Sequence, residues 1–315
     1  MKIYHSLNDF LPEFRVVLTI GTFDGVHIGH QSILESMNDV AKKIGGESVM
    51  LTFYPHPKHV IYPDDDKLQL LSTIDEKSEM LQDYGLQHLI IQSFDNQFSR
   101  IRSVNFVRDI LVNRLKISTL IIGYDHHFGR NREGNLDDLI SLSKIYDYDV
   151  LKIDPKQYNN ISVSSTKIRA LISEGNIDLA NNYLNHPFLI QGTVVKGRSL
   201  GKEIGFPTAN ININNKWKLL PPYGVYSVEV DINEKTHFGM MNIGINPTFD
   251  DTEMKIEVHI FDFDQNIYGQ KIQISIISRV RDERKFNSLD ELKNQLFIDE
   301  QCIREMFNKK HSSHA

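Results

Sequence analysis

The sequence predicts an α/β fold that turns mainly β: a doubly wound parallel sheet up to about residue 184, then a small antiparallel β-barrel with a C-terminal helix. Three observations predict it. In the first half, short apolar runs alternate with stretches of helical periodicity, the pattern of strands joined by crossover helices. From about Phe188 the texture changes to β-rich runs punctuated by glycine and proline. A chain of 315 residues also exceeds what one hydrophobic core usually organises, so two domains are expected, 1–184 and 185–315.

Taken in order, Arg15 to Ile20 is a short β-branched run bounded by glycine, which reads as a strand buried on both faces. Gly21 and Gly25 permit a tight turn, and Ile33, Leu34, Met37, Val40 and Ala41 then recur at helical spacing. Further strands are expected at Ser48–Phe53, His88–Ile91 and Thr119–Gly123, with helices near residues 29–44, 74–84, 103–115 and 136–146. Beyond the boundary near 184–188, strands are expected at Leu189–Val195, Val225–Val230 and Ile272–Ile277. Short strands at this spacing suit a barrel or a sandwich, and the barrel is the expectation carried forward. A final helix starts at Ser288, whose capping box pairs it with Glu291, and it aligns Leu292, Leu296, Ile303 and Phe307 on one face.

Composition narrows the function. The formal net charge is −6 and no run of Lys and Arg is dense enough to follow a nucleic-acid backbone, so nucleic acid is not expected as a partner. No apolar segment approaches the length of a membrane span, and the amino terminus lacks the apolar stretch of a signal peptide. A single cysteine, Cys302, cannot form an internal disulfide and is expected to pack within the last helix. A cytoplasmic, monomeric or weakly oligomeric protein acting on small molecules is expected.

The most informative stretch runs from Ile20 to His30, where a buried strand turns into a helix with His27 and His30 three residues apart. The free amides and dipole of a helix N-terminus already favour an anion. Two imidazoles aimed at one point add hydrogen-bond donors, and Gly29 between them allows close approach. On spacing alone His-x-x-His is more often a surface pair or an incidental metal site; the preceding strand and the flanking glycines favour a nucleoside triphosphate site. Two further segments can converge on it. Gly123 to Gly134 follows an apolar strand, and Ser164-Ser165-Thr166-Lys167-Ile168-Arg169 sets hydroxyls and cations at a helix start. In the second half, Gly192 to Asn210 is a glycine-studded turn in which Thr208 and Asn210 present oxygens two residues apart, suited to magnesium. On Lys255–Ile260, Glu257 and His259 share a face by the strand period.

These residues carry a resemblance. The His27-to-His30 turn and the Ser-Ser-Thr-x-Ile-Arg run resemble the nucleotidyltransferase superfamily, and Gly21 to His30 with Thr52 to Pro57 resembles its bacterial FAD synthetase branch. Gly205 to Asn210, Asn242-Ile243-Gly244, Pro247-Thr248-Phe249, Glu257-Val258-His259 and Arg281 to Phe286 resemble the riboflavin kinase signature. Together they cover almost the whole chain, in the order of bifunctional bacterial riboflavin kinase/FMN adenylyltransferases.

The resemblance implies two ATP-dependent reactions: riboflavin to FMN with release of ADP, then FMN to FAD with release of pyrophosphate. It implies that His27 and His30 hold the ATP phosphates together with Gly21, Phe23 and Gly29, that Asp125 lies near the adenosine and the reacting groups, and that Ser165, Thr166 and Arg169 grip the β- and γ-phosphates. For the kinase it implies Glu257 as general base and Thr208 and Asn210 as magnesium ligands. Gly197, Gly201, Lys202, Gly205, Pro207, Asn242 and Arg281 would bind nucleotide and flavin.

Two positions depart from the pattern: His126-His127, where many relatives carry a cation, and Asn246, where many carry arginine. The rival readings are a transferase of the same superfold acting on another acceptor, against which the Gly205-to-Asn210 segment and Glu257 argue, and a flavin-binding regulator with one activity lost.

Overall fold

The computed structural model describes residues 1–64, 68–123, 127–154, 156–159, 161–197, 201, 204–245 and 254–312. The chain folds as two compact units, Met1–Ser165 and Thr166–Ala315.

In the first unit the strands are β1 (Lys2–Tyr4), β2 (Val16–Ile20), β3 (Glu47–Tyr54), β4 (His88–Ser93), β5 (Ile117–Gly123) and β6 (Asp149–Ile153). They form one sheet in the order β1-β4-β3-β2-β5-β6, and every neighbouring pair is parallel. The expected doubly wound sheet is therefore present. The edge strands β1 and β6 were not anticipated, because β1 is too short and β6 too polar to stand out.

The chain leaves β2 for β3 on one side and later returns to β5 on the other, so the strand order reverses at β2. The crevice beyond the carboxyl end of such a strand is where ligands collect in open α/β sheets. Every residue of β2 is buried, which explains its unbroken apolar, β-branched composition.

The crossover helices follow the predicted periodicity: α1 (Ile28–Ile44), α3 (Ile74–Asp83) and α5 (Leu136–Tyr146), with a short α2 (Pro57–Ile61) between β3 and α3. The helix expected over 103–115 begins as α4 (Ser103–Asn105) and continues as a π-helical stretch, Phe106–Arg114. That wider winding still buries Phe106, Val107 and Leu111 against the sheet core.

Two short strands, β7 (Gln157–Tyr158) and β8 (Ile161–Ser162), lead to α6 (Ser165–Ser173) and α7 (Ile177–Leu184). The compact units part at Ser165, and α7 is tied to the β-domain. Asn181 Nδ2 donates to the carbonyls of Ile276 and Ile277 at 2.9 and 3.1 Å, while its Oδ1 accepts from the Phe188 amide at 2.8 Å.

The barrel is formed by β9 (Phe188–Val195), β10 (Ala209–Asn212), β11 (Gly224–Ile232), β12 (Lys235–Ile245), β13 (Met254–Ile260) and β14 (Lys271–Asp282), closed in the order β10-β13-β12-β11-β14-β9. Each pairing is antiparallel. Alternation along β13 puts Ile256, Val258 and Ile260 on the buried side and Lys255, Glu257 and His259 on the other.

The C-terminal helix α8 (Leu289–Ser312) packs Ile303 and Phe307 with Phe206, Val225, Met240 and Phe261. Ser288 Oγ accepts from the Glu291 amide at 3.1 Å, as the capping motif requires. The Glu291 carboxylate reaches one residue further back than expected, to the Asn287 amide at 3.0 Å. Cys302 is exposed on this helix and does not pack, because Ile303 beside it takes the inward position.

Candidate functional site

The histidine turn lies at the strand-order reversal. His27 is the N-cap of α1 in extended conformation (φ −68°, ψ 171°), and its side chain makes no capping bond. The first-turn amides therefore have no side-chain acceptor from the cap residue. The His27 and His30 rings stack with centroids 3.7 Å apart, and Phe23 stacks on the far side of His30 at 4.5 Å. Small residues make this possible: a Cβ on Gly21 would meet the Phe23 ring at 3.0 Å, and one on Gly29 would meet the His27 ring at 3.3 Å.

Phe23 and Val26 hold positive φ angles of 45° and 38°. L-residues adopt that region only where surrounding structure compels it. The compulsion comes from Asp24, which is 2% exposed. Its carboxylate accepts from the Leu71 and Ser72 amides, each at 3.0 Å, and Ser72 Oγ takes the Gly25 amide at 3.0 Å. The Asp24 carbonyl accepts from Ser165 Oγ at 3.0 Å, so one hydroxyl expected at the phosphates is engaged with the turn itself.

Behind the turn lies Lys77, 6% exposed on α3. Burial lowers its pKa, while the Asp24 carboxylate acts to raise it. His30 is held well below the ordinary imidazole range, first by burial and then by the charges of His27 and Lys77. A neutral imidazole offers one donor and one acceptor. His30 Nδ1 has no hydrogen-bond partner among the described residues, so the ring keeps a polar atom for a ligand. Of the remaining predicted groups, Thr166 is exposed and Arg169 half-buried on α6, and Asp125 and His126 lie outside the described residues.

The second constellation is a row across the barrel wall. Asn210 on β10 pairs in register with Glu257 on β13, Glu257 with Asn242 on β12, Asn242 with Val225 on β11, and Val225 with Arg281 on β14. Residues directly opposed in antiparallel strands project to the same face. Val225 packs with Ile303 and Phe307 of α8, so this face is the barrel exterior. Burial raises the Glu257 pKa, with Lys255 opposing.

Gly197 and Gly201 fit the approach of this segment closely. A Cβ on Gly197 would lie 2.1 to 2.8 Å from the Asn210 side-chain amide, and one on Gly201 would lie 2.2 Å from the Phe206 carbonyl and 3.4 Å from Thr208 Oγ1. Gly205 turns the chain at φ 90°. The Pro207 carbonyl accepts from His259 Nδ1 at 2.7 Å, which fastens the Pro-Thr-x-Asn segment to β13. Lys202 and the Asn246-to-Phe249 segment lie outside the described residues.

The comparisons agree with this division. The family model described as FAD synthetase matches residues 12–167, and the one described as riboflavin kinase matches residues 184–307. The bifunctional riboflavin kinase/FMN adenylyltransferases of Listeria monocytogenes and Escherichia coli K12 are each 36% identical to the chain, over 98% of it and 98% of their own lengths. The chain belongs to the bifunctional riboflavin kinase/FMN adenylyltransferase family. A crystal structure from Streptococcus pneumoniae, described as a macrolide-efflux protein, superposes with a TM-score of 0.86 at 32% identity and covers 96% of this chain and 98% of its own. Among the described residues no helix of this chain is long and apolar enough to cross a membrane.

Set against the family signatures, three groups escaped the sequence reading although each left a trace. Asp24 sits inside the recognised turn but as its strut. Lys77 shares the buried face of α3 with Met80 and Leu81, at i, i+3 and i+4. Asp299 lies between Leu296 and Ile303 on the inward face of α8 and is 2% exposed. A charge on an apolar stripe was the available signal in the last two cases.

Proposed function

We propose that the chain carries out two successive ATP-dependent reactions, phosphorylation of riboflavin to FMN in residues 185–315 and adenylylation of FMN to FAD in residues 1–184. The observation that carries this reading is the assembly of two chemically different polar clusters, the His27–His30 stack and the Asn210–Glu257–Asn242 row, in separate compact units.

In adenylyl transfer an FMN phosphate oxygen attacks the α-phosphorus of ATP in line and pyrophosphate departs. No covalent nucleophile is required, so the protein has to position anions and neutralise charge. The α1 N-terminus and the His27 and His30 rings supply donors to the phosphates, with Gly21, Phe23 and Gly29 shaping the approach. Thr166 and Arg169 grip the β- and γ-phosphates and Asp125 lies by the adenosine, while Ser165, expected beside them, donates its hydroxyl to the Asp24 carbonyl and braces the turn.

In phosphoryl transfer Glu257 accepts the proton of the riboflavin ribityl hydroxyl as that oxygen attacks the γ-phosphorus and ADP departs. Desolvation makes the carboxylate a stronger base than an exposed one. Asn242, Arg281, Lys202 and the Gly197-to-Pro207 turn bind nucleotide and flavin. Thr208 and Asn210 fit a hard cation as neutral oxygen donors, and the missing Cβ of Gly197 leaves room for the Asn210 amide. When bound there, magnesium would neutralise charge on the phosphates. We further place the protein in the cytoplasm as a monomer or weak homo-oligomer with no nucleic-acid partner, a reading supported by its single cysteine and its net charge of −6.

The test is separation of flavins by chromatography after incubation with ATP, magnesium and either riboflavin or FMN. Glu257→Ala should abolish FMN formation and leave FAD formation from supplied FMN, and replacing His27 and His30 should do the reverse. Loss of both activities in each folded variant would overturn the two-site reading.

A further inference from the structure

The C-terminal helix contributes a buried carboxylate to the kinase face. Asp299 accepts from Arg281 Nε at 3.1 and 3.0 Å through its two oxygens, and from the second guanidinium nitrogen, Nη2, at 2.8 Å. Gln295 Nε2 donates to it at 2.7 Å from one turn earlier on α8. The Arg281 and Asp299 side chains are only 19% and 3% accessible. Arg281 Nη1 donates to the Asp282 carbonyl at 2.9 Å.

Of the five N–H bonds of a guanidinium, three are thus used, and among the described residues one on each terminal nitrogen is left. Those two belong to the residue that shares the transverse row of Asn210, Glu257 and Asn242.

A buried ion pair is a poor means of adding stability, because desolvating both charges consumes most of what their attraction supplies. Its benefit is geometric. A bidentate carboxylate fixes the plane of a guanidinium, which otherwise swings on a flexible stem. Asp299 is itself held by Gln295 and by a helix whose Ile303 and Phe307 are buried against the barrel.

We infer that Asp299 is a positioning residue of the kinase reaction, holding the Arg281 fork so that its remaining donors face an oxygen of the bound substrate, either a nucleotide phosphate or a flavin carbonyl. This rests on the assignment of Arg281 to nucleotide and flavin binding. The chemistry asked of Arg281 is the same for either oxygen: two N–H donors presented in a fixed plane.

The test is a double-mutant cycle on the full-length enzyme with Asp299→Asn, Arg281→Lys and both, measuring kcat and KM for ATP and for riboflavin in the kinase reaction and FAD formation from supplied FMN as an internal control. If Asp299 acts through Arg281, Asp299→Asn lowers kinase kcat/KM by about 10- to 100-fold, the scale of a small misplacement of a binding group. The double variant is then no worse than the poorer single one, and FAD formation is unchanged. A rise confined to the KM for ATP assigns the donors to a phosphate, and one confined to riboflavin assigns them to the flavin. Unaltered kinase kinetics in Asp299→Asn, or losses that multiply in the double variant, would overturn the inference. Absence of kinase activity in the unmodified protein would instead defeat the functional reading beneath it.

Discussion

Replacing Asp24 should disable FAD formation by loosening a turn, although no role in binding substrate is assigned to its carboxylate. The carboxylate is the acceptor for two backbone amides at 3.0 Å and also receives Ser72 Oγ at 3.4 Å. In Asp24→Ala the Leu71 and Ser72 amides lose that acceptor inside the protein. A stranded buried donor costs about 1–3 kcal/mol, so with partial relaxation the pair gives about 3 kcal/mol. Asp24→Asn keeps one acceptor oxygen and turns an N–H toward the other amide, for roughly half that cost.

The positive φ angles at Phe23 and Val26 lose their restraint in both variants, and His30 loses its alignment with Phe23 and His27. The assay is urea denaturation of the full chain with residual FAD formation and residual riboflavin phosphorylation read from the same samples. The midpoint for FAD formation should move to lower urea in the order wild type, Asp24→Asn, Asp24→Ala, while that for phosphorylation stays. An Asp24→Ala variant whose FAD-forming midpoint shift, multiplied by the urea m-value, amounts to less than about 0.5 kcal/mol would rule out this role of Asp24, since that is the effect of an ordinary surface change.

His30 titrates below its unfolded value of 6.5, so between the two values the unfolded chain binds more protons. Stability should therefore fall as pH drops from about 6.5 toward the folded value, and His30→Gln should flatten that slope in denaturation series at pH 5.5 and 7.5. Glu257 must be ionised to accept a proton and its pKa lies above the ordinary 4.5; the kinase pH–rate profile should lose activity on its acid side above that value, with no matching limb for FAD formation. Glu257→Gln should lower phosphorylation by about 10²- to 10⁴-fold, the usual contribution of a general base. Gly197→Ala inserts a methyl group within 2.1 Å of the Asn210 amide and should lower kinase turnover at unchanged FAD formation, checked by the same chromatographic assay.

Much of the architecture was legible in the residue pattern because it rests on local periodicity. The runs at β2, β3, β4 and β5 are buried on both faces and so are uninterrupted, and α1, α3 and α5 carry apolar stripes at helical spacing. The π-helical course of Phe106–Arg114 was not legible, since its three buried residues, Phe106, Val107 and Leu111, are too few to set a wide winding apart from a standard one. Nor was the attachment of α7 to the barrel, which depends on Asn181 reaching backbone carbonyls of β14 some 95 residues away in sequence. The short edge strand β1 exists because β4 offers it a parallel partner, which three residues cannot announce.

Residue order and local periodicity set which chemical groups are present, on which kind of element each stands, and that a strand-to-helix turn carries two histidines while a β-domain carries the Pro-Thr-x-Asn segment and Glu257. The relations between them arise on folding. Strand register aligned Asn210, Glu257 and Asn242 across three strands, and folding buried Asp24, Lys77 and Asp299. The physical reason is that propensity and periodicity act over a few residues, whereas a hydrogen bond, a pairing register or the loss of water around a charge depends on groups brought together from far along the chain.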